Sequence, residues 1–248
     1  MTVWRMEWVR LFRTRRWIAL LAGYLLFGFL MPILTRYQEE IFRHVGGDVK
    51  VIMPPPTPSA AVASYISNAS QVGLLVAVVI AAGALAFDAR PEWSSFLRTR
   101  ARTMSTIVLP KSVVCAVAVG LSFAAGMLAA SYETSVLIGP LPAGGMLAGT
   151  LYGFLYLVFA VGVVTLCASL TRSVIGTAGL ALGILIVLPI LGQAAALKPW
   201  LPSELVGAPV ALVDGKPAAE FLRAAASAAA VTAAATWFGV RRLARREL

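Results

Sequence analysis

Six apolar runs, separated by short polar breaks, constrain this chain more than any motif in it. They cover residues 17–34, 65–87, 112–132, 144–167, 174–191 and 221–240, and the one charge inside them is Arg223. A helix rises 1.5 Å per residue, so a run of about 20 residues crosses a hydrocarbon core of about 30 Å. Composition agrees: 59% of residues are hydrophobic and 13% charged, whereas soluble chains carry about 25% charged residues. The expectation is an all-α polytopic membrane protein, one transmembrane domain over 1–248.

The net charge of +10 would suggest nucleic acid in a soluble chain. Here the basic residues sit between apolar spans, where anionic lipid is the natural counter-charge, so nucleic acid is not an expected partner. Most of the 21 Lys and Arg fall on one side if both termini share it: Arg5, Arg10, Arg13, Arg15 and Arg16, then Arg90, Arg98, Arg100, Arg102 and Lys111, then Arg172, then Arg241, Arg242, Arg245 and Arg246. The positive-inside rule makes that side cytoplasmic. The basic start followed by a run of signal-peptide character lacks a small-x-small cleavage site, and an uncleaved first span is expected.

Residues 1–16 place Trp4, Trp8, Leu11 and Phe12 at helical spacing, with Arg10 and Arg13 elsewhere. That pattern predicts an amphipathic helix in the membrane interface, its aromatics at headgroup depth. A polar connection over 35–64 follows, holding a short candidate helix over 37–45 and the breaker Pro54-Pro55-Pro56-Thr57-Pro58. His44, the one histidine, lies there and reads as an exposed loop residue.

The second span opens with Tyr65, Asn68 and Gln71 at i, i+3 and i+6, one slowly drifting polar side. Such groups need a partner in hydrocarbon. They either line a substrate path, together with Gln193, or make hydrogen bonds between helices. Gly145, Gly149 and Gly153 form a small-residue stripe on the fourth span, and Gly179 and Gly183 repeat it on the fifth, where another backbone is expected to approach closely. Residues 193–220 contain apolar pieces too short to cross, broken by Pro199, Pro202 and Gly207. They read as a re-entrant outer segment or as a surface loop.

Between spans two and three lies a charged loop, 88–111. Trp93, Phe96, Leu97 and Met104 recur there at roughly helical spacing and leave Arg98 and Arg102 on another side. One reading is a grip for a soluble partner. The other is a basic loop that sets topology, its aromatics dipping into headgroups.

Chemistry of its own is hard to find. There is no GxxxxGK[ST] loop, no HExxH and no Cys or His cluster; Cys115 and Cys167 both lie in apolar spans. No metal, no cofactor and no catalytic residue is expected in this chain.

The layout of amphipathic start, six spans, prominent inner loop and broken outer segment resembles the permease subunits of type 2 ABC exporters. The local match is Glu92, then Phe96-Leu97-Arg98-Thr99-Arg100, Ala101-Arg102 and Lys111 opening the next span; Ser95 stands where that family often has Gly, and Ala101 where it often has Pro. The resemblance implies a coupling helix between spans two and three, with Glu92, Trp93, Phe96, Leu97, Arg98 and Arg102 contacting a separate ATPase subunit. It also implies two copies of that ATPase, holding ATP and Mg, and a second permease chain, identical or a paralogue. The expected setting is a bacterial cytoplasmic membrane, and the sparse charge of the path favours an amphipathic, lipid-like or drug-like cargo. A membrane scaffold or assembly subunit is the alternative.

Overall fold

The structure is a computed structural model that describes residues 3–45, 55–86, 103–194 and 196–245, with backbone alone over 42–45. Among the described residues every regular element is helical. Six stretches are long and apolar enough to cross a membrane: Arg16–Ile41, Pro58–Leu85, Ser105–Leu137, Ala143–Leu170, Val174–Leu191 and Ala218–Arg245.

A short first helix, α1 (Val3–Arg13), turns through Thr14 and Arg15 into α2 (Arg16–Val45). The expected break after residue 34 is absent: α2 runs on, so 37–45 is its continuation and not a separate helix. Pro32 lies inside it and frees the Gly28 carbonyl, yet one lost hydrogen bond does not outweigh continuing a helix in apolar surroundings.

The second span is a composite. Helix α3 (Pro58–Asn68) starts seven residues before the predicted 65, because Thr57 caps it and Pro58 suits the first turn. A π-helical turn, Ala69–Gly73, then leads into α4 (Leu74–Leu85). The third span, α5 (Ser105–Leu137), also begins earlier than predicted and takes Lys111 into the helix. After it come α6 (Ala143–Leu170), α7 (Val174–Leu191), the short α8 (Glu204–Val213) and α9 (Leu222–Arg245), with single 3₁₀ turns at Lys198–Trp200 and Ala218–Phe221.

Helices α5 and α6 form the centre, and α2 and α9 lie against them, α2 mainly on α5 and α9 mainly on α6. Gly28 of α2 and Gly126 of α5 meet backbone to backbone: a Cβ on Gly28 would strike the Gly126 carbonyl, and one on Gly126 would lie 2.6 Å from the Tyr24 carbonyl. In lipid, such close approach is what holds helices together, because burial of apolar surface adds little there. Between α5 and α6 a buried Ser112 hydroxyl meets that of Thr165 at 3.1 Å. One end of the bundle carries α1 and the junctions to segment 87–102; the opposite end is capped by α8.

Candidate functional site

The segment expected to meet a soluble partner, with Glu92, Trp93, Phe96, Leu97, Arg98 and Arg102, lies outside the described residues. Its two anchors are described. Helix α4 ends at Leu85, and α5 begins at Ser105 with the hydroxyls of Thr103, Ser105 and Thr106 joined at 2.8–3.0 Å.

Helix α1 packs against α5 and, less, against α2. Of the four residues expected to share its apolar side, Leu11 is buried in the protein core and Trp8 packs against it, while Trp4 and Phe12 face outward. Phe12 stacks on Trp8 at 6.3 Å and meets Trp17 at 5.9 Å. The helix therefore docks one side on protein and leaves Trp4, Met6, Val9 and Phe12 exposed, interleaved with Arg5 and Arg13.

A side chain that the sequence reading passed over is central here. Glu7 is 6% exposed, and its carboxylate lies 3.9 Å from the ammonium of Lys111, itself 4% exposed. Arg10 adds a second contact at 3.7 Å. No hydrogen bond reaches Glu7 Oε1, the oxygen that faces the Lys111 ammonium. An acid in a basic amphipathic stretch looks like a solvated residue, and only the docking of α1 on α5 reveals the pair. Nearby, the Arg16 guanidinium reaches the C-terminal end of α4, where a Cβ on Gly83 would lie 3.7 Å from it.

Deeper in the bundle, Tyr65, Asn68 and Gln71 do not share a side. Tyr65 is fully buried and donates to the Phe123 carbonyl of α5 at 3.1 Å. Asn68 Nδ2 reaches Met31 Sδ of α2 at 3.0 Å and the Ser64 carbonyl at 2.9 Å. Gln71 is exposed and donates to Ser67 Oγ at 3.3 Å. Side chains three residues apart already drift by about 60° at each step, and the π turn adds a further rotation. Tyr65 and Asn68 thus make contacts between helices, and Gln193 lies exposed just after α7.

Beside this cluster is a narrow cavity of about 20 Å³, walled by Tyr24, Phe123, Tyr156, Ser70, Leu74 and Val206. The Tyr24 hydroxyl is buried without a hydrogen-bond partner. The space suits one water, not a cargo molecule.

At the capped end, α8 rests on the glycine stripe of α6. A Cβ on Gly145 would lie 2.7 Å from the Leu212 carbonyl, and one on Gly149 would lie 2.6 Å from Pro209 Cα. Gly153 instead faces the ring of Phe123, which a Cβ there would meet at 2.5 Å. The repeat expected on α7 is different: a Cβ on Gly179 or Gly183 would meet nothing within 4 Å among the described residues. Arg223 lies over the Trp200 ring at 5.8 Å, and Ser227 donates to the Trp200 carbonyl.

Among the described residues no group of three or more His, Cys, Asp or Glu stands together as a metal site, and Cys115 and Cys167 are free thiols in the core. Comparison of the chain with models of protein families, with curated proteins and with solved structures finds no match.

Proposed function

We propose that this chain is the permease subunit of an ATP-driven exporter of the type 2 ABC class, powered by two copies of a separate ATPase and paired with a second permease chain. Both termini lie in the cytoplasm of a bacterial cell, and Glu92 to Arg102, within the loop between the second and third spans, is the coupling element. The observation that carries the reading is the docking of α1 on the foot of α5 through Glu7 and Lys111. It makes the end of the bundle where that segment joins α4 and α5 a packed body. ATP-driven closure of soluble subunits moves spans only through such an element. The outward face of α1, with Trp4 and Phe12 beside Arg5 and Arg13, lies against anionic lipid.

Helix α8 packs on the glycines of α6 and on α3, which supports a re-entrant outer segment that closes the outer end. The path itself runs between two permease chains; the cavity beside Tyr24 and Phe123 has room for water alone. The sparse charge of the spans favours an amphipathic, lipid-like or drug-like cargo.

Affinity purification of the tagged chain from its native membrane tests this. A soluble subunit bearing a phosphate-binding loop and hydrolysing ATP should come with it. Recovery of membrane proteins alone would replace the exporter by a scaffold or assembly subunit.

A further inference from the structure

We propose that Glu7 and Lys111 form a clamp that fastens α1 to α5, so that α1 travels with the foot of α5 and passes that motion to α2. Both groups are buried, and 3.9 Å separates their charges. A carboxylate taken out of water is unfavourable unless a cation faces it. Arg10 sits on the same helix and is half exposed, so it stabilises the charge without joining two elements. Lys111 is on the neighbouring helix and does join them.

An apolar contact would hold α1 as tightly but would permit sliding, whereas a buried charge pair is satisfied at one register. Leu11, one turn along from Glu7, seats in the core beside it.

The joint to α2 suits this role. Arg15 has φ +55°, a left-handed backbone that a side chain rarely adopts, while Thr14 N–H and Oγ1 both bond the Arg10 carbonyl and Arg15 N–H bonds that of Phe12. Arg15 is itself exposed, so the hydrogen bonds of the turn, with Ile18 N–H also bonding the Arg15 carbonyl, are what hold that conformation. The joint is two residues long, so α1 cannot shift without moving the start of α2. Segment 87–102 enters α5 at Thr103, about two helical turns before Lys111. That a push arrives along this segment rests on the exporter reading; the clamp itself does not.

Hydrogen–deuterium exchange on the purified full-length chain, with no ATPase present, tests the clamp. Glu7→Gln should speed exchange over 3–13 on the order of a hundredfold while 143–170 stays protected. In a Lys111→Gln background, which already exchanges fast over 3–13, Glu7→Gln should add little, the mark of a shared interaction. Equal protection in the single variants and the parent would overturn the proposal, as would an undiminished effect of Glu7→Gln in the Lys111→Gln background. If Lys111→Gln also exposes 143–170, Glu7→Gln and the milder Glu7→Asp decide alone, by loss or retention of protection over 3–13. Failure to find an ATPase would remove the exporter reading and leave this exchange result standing.

Discussion

The Tyr65 hydroxyl donates a 3.1 Å hydrogen bond to the Phe123 carbonyl while the two rings stack 6.0 Å apart, and Tyr24 meets the same Phe123 ring edge-on at 5.9 Å. Three spans thus meet at one aromatic centre. Tyr65→Phe keeps the ring and loses the hydrogen bond, and should lower stability by about 0.6–1 kcal/mol. Tyr65→Ala should cost about 3–5 kcal/mol by analogy with other large aromatic truncations. Thermal unfolding in detergent reads both, and equal effects would show that the ring contributes nothing beyond its hydroxyl.

The two glycine stripes should respond oppositely to the same change. Gly149→Ala puts a Cβ 2.6 Å from the Pro209 backbone, which cannot swing aside, and should destabilise by about 1–3 kcal/mol. Gly183→Ala meets open space and should be neutral or stabilising by about 0.5–1 kcal/mol, since alanine favours the helix. Matching unfolding temperatures for the pair would contradict the packing of α8 on α6.

Orientation is testable by labelling. In a background with Cys115 and Cys167 replaced by alanine, Asp214→Cys, exposed after α8, should react with a membrane-impermeant maleimide in intact cells. Arg172→Cys, exposed in the turn between α6 and α7, should react only after lysis. The reverse pattern would put the proposed coupling segment outside the cell.

Trp93→Asp and Phe96→Ala should leave membrane insertion intact while separating ATP hydrolysis from transport. Loss of one apolar anchor at such a contact weakens it by about 2 kcal/mol, roughly thirtyfold. Unchanged transport beside the purified ATPase would rule these residues out as the grip.

Apolar length, with Arg223 the one charge within it, announced the six spans, because a helix that satisfies its own backbone is the available solution for an apolar run of that size. Residues 174–191 show how well this works: both ends are marked, by Ser173 as cap and by Gly192 after the last turn, and the helix is Val174–Leu191. Span ends are hidden where polar residues belong to the helix. Thr35 to Val45 read as a connection, yet they prolong α2, and Lys111 read as the last loop residue before a helix that had already started at Ser105.

What the sequence by itself determined is the class of protein, the number of spans and the uneven placement of basic charge, all properties of composition along the chain. Which glycine meets a backbone, where Glu7 goes and how the polar residues of the second span divide were decided only in three dimensions. The same spacing led Gly149 into contact and left Gly183 open, because close approach needs a second surface that local sequence does not contain. A buried charge likewise depends on a cation supplied from about a hundred residues away, and the π turn at Ala69–Gly73 redirects side chains that an unbroken helical period would have grouped.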